Sequence, residues 1–307
     1  MECVDAENKQ DDNVDDAQVA LPCNVTVRFV DTCESTNDLA IEAGRSGAPH
    51  GAACATCCQT QGRGRRGHSW QTPQGNLALS IVLRPQIASH LFIVLPTLVA
   101  MGVYDALQEM GLKNRVGIKW PNDIVATTAD NLADPVEFIA PVDRPCYDRK
   151  LAGVLVEAKV SQQGPFAVAG IGLNLHAFSC EQARCTHNQQ DPVATLEPIS
   201  LDELVEGEIV AEKLAVYITF YVLKRVDAYA TSVKAGRTAA GPMAPILSEY
   251  FDMIPMLGKY VVALKSDGAP AMVGTFGGID TWGRAILVDD QGKEHAFASE
   301  VVSLREV

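Results

Sequence analysis

The chain has 307 residues, 47% of them hydrophobic, and a formal net charge of −13, which is material for about two domains with a sizeable core. So acidic a chain lacks the basic stripe that a nucleic-acid-binding face needs. Nine cysteines with no apolar secretion signal predict a reducing, cytoplasmic setting rather than a disulfide framework.

In chain order, residues 1–23 carry Glu2, Asp5, Glu7, Asp11, Asp12, Asp15 and Asp16 against Lys9, an acidic tail too poor in apolar side chains to fold. Between Thr32 and Ala43, Ser35-Thr36-Asn37 caps a short helix that Gly44 is expected to end. Ala52–Cys58 reads as a strand in which Cys54, Cys57 and Cys58 act as small buried hydrophobes. The alternative, a metal set completed by Cys180, Cys185 and His187, lacks a second C-x-x-C at ribbon spacing, and no tightly bound metal is expected.

Next comes Gly62-Arg63-Gly64-Arg65-Arg66-Gly67, followed by His68-Ser69-Trp70. The glycines allow tight turns and close approach to a ligand. The arginines offer planar, permanently charged donors for carboxylate or phosphate. The pattern satisfies G-x-G-x-x-G, but a turn at Gln71–Gly75 and a strand at Asn76–Leu83 follow it, and no acidic residue occurs before Asp105. Strand–loop–strand is the wrong context for a dinucleotide fold. The loop reads as an anion site.

Leu91–Leu107 is apolar but broken by Pro96 and shorter than the ~20 residues of a comfortable membrane span, which predicts a core helix ended by Gly111. Val116–Lys119 reads as a strand that Pro121 stops, with a turn at Asn122-Asp123. Residues 126–148, with Pro135, Pro141 and Pro145 and several acids, carry few motifs and are expected to make a surface excursion. Lys150–Val160 and Pro165–Leu175 read as a hairpin, and Phe178–Asp191 as a polar loop. Ser200-Leu-Asp-Glu203 is a capping box expected to open a long amphipathic helix through Leu204, Ile209, Leu214, Ile218 and Leu223. After a break at Gly236–Pro245, short strands from Tyr260 onward suggest a small β-barrel.

Five runs taken together, Glu34-Ser35-Thr36-Asn37, the glycine–arginine loop, Lys119-Trp120-Pro121-Asn122-Asp123, Arg149-Lys150-Leu151-Ala152-Gly153 and Gly170-Ile171-Gly172-Leu173-Asn174, resemble the biotin protein ligases. The resemblance runs from about Thr26 to the C-terminus and is to the form without an N-terminal DNA-binding domain. It implies an α+β fold, a mixed sheet flanked by helices of the class II synthetase-like kind, over residues 24–252, in which residues 126–148 are an insertion relative to the family pattern, and a small β-barrel over 253–307. It also implies two steps: activation of biotin by ATP with Mg²⁺ to biotinyl-5′-AMP, then transfer to one lysine on the biotin carrier domain of a carboxylase.

Carried over by position, Ser35, Thr36, Asn37, Gln59, Gly62, Arg63, Gly64, Arg65, Lys150 and Gly153 would bind biotin. Arg63, Arg65, Arg66, His68, Trp70, Lys119, Asn122, Lys150 and Asn174 would address ATP or the adenylate. Lys150, Lys119, Arg65 and Asp123 would be catalytic, with Asp123 either holding Mg²⁺ or orienting the acceptor lysine. The resemblance implies a monomer or homodimer with no nucleic-acid or membrane partner. A lipoate ligase of the same superfamily and a non-catalytic biotin sensor are the alternatives.

Overall fold

Leu77–Leu83 is a strand with every side chain buried, the pattern of a strand covered on both faces. Alternation divides its residues: Leu77, Leu79, Ile81 and Leu83 join the large core, whereas Val82 joins a smaller one with Ala40, Ile41, Cys54, Phe166 and Val168. The computed structural model describes residues 25–67, 69–70, 75–126, 149–177 and 196–307. The acidic tail, His68, the insertion beyond Ala126 and the polar loop at 178–191 lie outside them.

The strand, β3, sits inside a mixed sheet made of β1 (Val27–Phe29), β2 (Ala53–Thr56), β3, β4 (Val116–Lys119), β5 (Asp123–Ala126), β6 (Arg149–Ser161), β7 (Gly164–Leu173) and the short β8 (Glu197–Pro198). Its order is β1-β2-β3-β7-β6-β5-β4, with β8 beside the start of β6. The expected hairpin is β6–β7, in continuous antiparallel register from Ala152↔Leu173 to Ser161↔Gly164. The glycine–arginine loop connects β2 to β3, which are antiparallel, so the strand–loop–strand reading holds.

Helix α1 (Thr36–Arg45) covers one sheet face. On the other, α2 (Leu95–Glu109) packs against the long α3 (Ala211–Lys234). Pro96 lies in the first turn of α2, where its missing N–H costs nothing, so it starts the helix instead of interrupting it. Gly111, at φ +89°, follows the helix as expected.

Two further sequence expectations differ from the structure. Gly44 does not end α1: the helix continues to Arg45, and a Cβ on Gly44 would lie 2.3 Å from the Phe166 ring. This glycine is a packing notch, and the turn falls at Gly47, whose φ is +96°. The Ser200–Glu203 capping box is present, but it closes only a 3-10 turn at Leu201–Glu203. Leu204 is buried with its carbonyl accepting from Arg115 Nη1 at 2.6 Å, Gly207 turns at φ +106°, and α3 begins only at Ala211. The capping chemistry is present locally, but tertiary anchoring of Leu204 bends the chain before the helix can propagate.

After α4 (Leu247–Asp252), five strands make one antiparallel sheet: β9 (Tyr260–Lys265), β10 (Pro270–Ile279), β11 (Ala285–Val288), β12 (Glu294–Phe297) and β13 (Val302–Glu306), in the order β12-β11-β10-β9-β13. Its Val261, Ala263, Phe276 and Leu304 belong to the main core. The sheet is tied to the β4–β5 region by Trp120 Nε1–H to Gly283 O at 3.0 Å, and the segment leading into it by Ile118 N–H to Met253 O at 2.7 Å. This docking carries C-terminal residues to the mouth of the main domain.

The α2–α3 crossing generates a test. A Cβ on Gly102 would come 2.6 Å from Val222 Cα and 2.7 Å from its backbone nitrogen, contacts that no rotamer change relieves. Gly→Ala in an exposed helix stabilises by about 1 kcal/mol; here overpacking of about 1–3 kcal/mol opposes it. Gly102→Ala is expected to lower the urea unfolding midpoint. An increase would show that the crossing is looser than this.

Candidate active site

Three glycines of the β6–β7 hairpin prepare the site. Gly153 and Gly172 are register partners, and together they leave a bare patch on the sheet. The indole of Trp70 lies on it: a Cβ at Gly172 would fall 2.1 Å from Trp70 Cε2, and one at Gly153 3.0 Å from Cζ3. Two residues along, a Cβ at Gly170 would fall 2.1 Å from Asn37 Oδ1. The Gly-Ile-Gly run therefore seats Asn37 and Trp70 rather than following a turn requirement.

The loop over this floor closes on itself. Trp70 N–H donates to Gly62 O at 2.9 Å, Arg63 bridges Ser69, and Arg65–Gly67 is a 3-10 turn. Gly62 has no room for a side chain, since its Cβ would lie 2.2 Å from Trp70 O. A cleft of about 570 Å³ opens beneath the loop, within the ~300–1,000 Å³ of small-molecule sites.

One end of the cleft is neutral and polar. Ser35, Thr36 and Asn37 are almost wholly buried at the start of α1. Thr36 donates to Gln59 Oε1 from its backbone N–H at 2.9 Å and its hydroxyl at 3.2 Å. Ser80 Oγ, from β3, donates to Asn37 Oδ1 at 2.6 Å and lies 2.8 Å from Thr36 Oγ1. Asn37 Nδ2 donates to Glu157 Oε2 at 2.9 Å. The amide of Asn37 is thus held at both ends, and its orientation is set before any ligand arrives. Ser80 and Glu157 were not expected from the sequence; the available signal was a lone serine in an otherwise apolar strand, on the same face as Val82.

The other end is cationic. Lys119, at the end of β4, is only 5% exposed. Burial, with Arg305, Lys150 and Arg65 nearby and only Asp123 opposing them, pulls its pKa down to about 7. Lys150 Nζ is 2.9 Å from Asp123 Oδ1 and 5.3 Å from the Trp70 ring centroid, a cation–π distance. Asp123 resists protonation: its burial favours the acid, but Lys150, Lys119 and Arg65 outweigh that and hold its pKa below the ordinary carboxylate value.

The two described arginines of the loop separate. Arg63 forks onto Asp38, both contacts at 2.7 Å, and reaches Glu157 at 3.3 Å. Through these carboxylates it anchors the loop to α1 and β6. Arg65 turns the opposite way, donating to Asn122 Oδ1 at 3.0 Å and to the carbonyl and hydroxyl of Ser299 at 3.2 and 2.9 Å. Nothing is described of the Arg66 side chain or of His68.

Asn122 and Asn174, expected at the nucleotide, line the cleft but also hold its frame. Asn122 Nδ2 donates to Val154 O, joining Arg65 to β6. Asn174 Nδ2 donates to Lys150 O and Ile199 O, both at 3.1 Å, and so fixes the backbone that carries Lys150. The C-terminal sheet adds Ser266, Ser299, Ser303 and Arg305 to the lining. Apart from Gly62, Arg66 and His68, every residue expected at the site lines this one cleft.

Known proteins resemble this chain in sequence and in fold. A sequence model of the Biotin/lipoate A/B protein ligase family matches residues 30–174. A biotin--[acetyl-CoA-carboxylase] ligase from Paracoccus denitrificans is 31% identical over 249 residues, covering 79% of this chain and 86% of the relative. The bifunctional ligase/repressor BirA of Salmonella typhimurium is 26% identical over 258 residues, covering 83% and 67%. In fold, the chain resembles a biotin protein ligase from Aquifex aeolicus solved with biotin and ATP, with a TM-score of 0.66, 19% identity, and coverage of 92% of this chain and 99% of that one. A biotin protein ligase from Leishmania major gives a TM-score of 0.54 at 18% identity, with 91% and 100% covered. On the match to the Paracoccus denitrificans ligase, the chain belongs to the biotin protein ligases of the biotin/lipoate A/B protein ligase family.

Proposed function

We propose that the protein activates biotin with ATP to biotinyl-5′-AMP and then transfers the biotinyl group to a lysine on the biotin carrier domain of a carboxylase. The observation that carries this reading is the division of one cleft into a neutral amide–hydroxyl end and a cationic end. Biotin has the matching division, an uncharged ureido ring at one end and a carboxylate at the other. Buried neutral groups that are hydrogen-bonded in a fixed orientation discriminate strongly, because a wrong ligand leaves them unpaired.

In the first step a biotin carboxylate oxygen attacks the α-phosphorus of ATP, and the bond to pyrophosphate breaks. Negative charge concentrates on the phosphoryl group, where Lys150, Lys119 and Arg65 converge. Preorganised donors aimed at developing charge supply much of an enzyme's rate enhancement. In the second step the amine nitrogen of the acceptor lysine attacks the acyl carbon and AMP leaves, forming an amide. Asp123 is a poor base, since neighbouring cations hold it ionised; its suitable role is to orient the incoming amine.

The alternative role for Asp123, holding Mg²⁺, fits less well. It is paired with Lys150 and faces Lys119 and Arg65, and no set of three or more metal-ligating groups occurs among the described residues. Mg²⁺ commonly binds through one or two carboxylates together with substrate phosphates, so here it enters as the Mg²⁺–ATP substrate.

Pyrophosphate–ATP exchange tests the first step. Exchange should require biotin and be absent with lipoate or no acid; exchange with lipoate alone would replace the substrate. Lys150→Ala should reduce the exchange rate by about 10²–10³-fold, the usual loss for a preorganised transition-state donor. Survival within a few-fold would remove Lys150 from the role.

Lys119 gives a pH signature. It is an ammonium below about pH 7 and a neutral amine above, and only the ammonium attracts phosphate. The kcat/KM for Mg²⁺–ATP reports free-enzyme ionisations, so it should be level below about pH 7 and fall tenfold per unit above. In Lys119→Arg, which stays charged, the fall should vanish. An identical fall in that variant would assign it to another group.

A further inference from the structure

Arg65 is held by groups that lie far away in sequence. Its guanidinium reaches Asn122, 57 residues on, and both the carbonyl and the hydroxyl of Ser299, 234 residues on. Ser299 stands in the turn between β12 and β13, which is closed by Val301 N–H to Ala298 O at 3.0 Å and Val302 N–H to Ala298 O at 3.3 Å. Its hydroxyl proton goes to Glu300 Oε1 at 2.9 Å. A hydroxyl has one proton and two lone pairs, so donation to Glu300 leaves the lone pairs for Arg65. The turn thus presents two oxygens to one guanidinium nitrogen from a rigid support. That support is itself tied to the cleft through Trp120 and Gly283.

We propose that Ser299, oriented by Glu300, is a positioning residue of the C-terminal sheet that holds Arg65 across the cleft and so retains the acyl-adenylate between the two half-reactions. The inference rests on the biotinyl-adenylate reading above. The loop is pinned at two points by different chemistry: Arg63 is locked to carboxylates of α1 and β6, while Arg65 is held at its far side by oxygens of the second domain. The Arg63 fork fixes where the loop begins. Together with Asn122, the Ser299 contact holds the guanidinium of Arg65 over the phosphate and against swinging into solvent. The C-terminal sheet thus acts on catalysis in part through Arg65, which shares the adenylate phosphate with Lys119 and Lys150.

Two measurements on the full-length protein test this, with Ser299→Ala and Ser299→Thr. The first is the rate of trypsin cleavage after Arg65, which needs no ligand. The second is the rate at which preformed biotinyl-adenylate is released in the absence of acceptor. Losing one hydrogen bond to a charged group, with the Ser299 carbonyl still present, should speed both in Ser299→Ala by about five- to tenfold. The unfolding midpoint should not change, and Ser299→Thr, which keeps the hydroxyl, should restore both rates. Unchanged cleavage and release in Ser299→Ala would overturn the proposal, as would acceleration that Ser299→Thr fails to correct. If the wild-type protein makes no adenylate from biotin and ATP, the functional reading fails and the retention role fails with it. The trypsin result still reports the Arg65–Ser299 contact separately.

Discussion

The absence of side chains at Gly153, Gly170 and Gly172 is the constraint on which the rest of the site depends. A sheet with ordinary residues there would carry a layer of Cβ atoms where Asn37 and Trp70 now lie. Moving Asn37 would break its bonds with Ser80 and Glu157. Raising Trp70 would lift the end of the glycine–arginine loop, because Trp70 N–H is bonded to Gly62 O. Both the neutral end of the cleft and its cover thus rest on the same bare strip of β6–β7. Glycine in a strand interior ordinarily weakens it and marks close approach of another group; here both approaching groups can be named.

The electrostatics follow from that geometry. In a chain of net charge −13, Lys119, Lys150, Arg65 and Arg305 line a single cleft with Asp123 among them. Burial, together with repulsion from the neighbouring cations, lowers the pKa of Lys119 to about 7. Such a cluster is unfavourable while empty and favourable once a phosphate arrives, which is the differential binding that catalysis requires. The acidic residues close to the loop, Asp38 and Glu157, hold Arg63 instead, so attraction within the protein stabilises the loop while Lys119, Lys150, Arg65 and Arg305 remain along the cleft wall.

Much of this was legible in the chain. Strand β3, helix α2 and the β6–β7 hairpin follow from hydrophobic period and from turn residues, which are local properties. The strand–loop–strand context was enough to set aside a dinucleotide fold despite the G-x-G-x-x-G pattern. Gly44 and the Ser200–Glu203 box depart from expectation for a common reason. Each has a correct local meaning, helix stop and helix start, which tertiary contacts override: Phe166 uses the space at Gly44, and the burial of Leu204 holds the chain before α3.

By itself the sequence determined which residue types meet at the site and in what order, because glycine, arginine and lysine have chemistry that context does not erase. It also determined the apolar alternation that makes the sheet and its two covered faces. Only the tertiary structure decided the division of labour among like residues. Arg63 and Arg65 are two positions apart with the same side chain, yet one faces Asp38 and Glu157 and the other Asn122 and Ser299. A guanidinium's partner is set by whichever acceptors folding brings within ~3 Å, and those lie as far as 234 residues away. No local pattern encodes that distance.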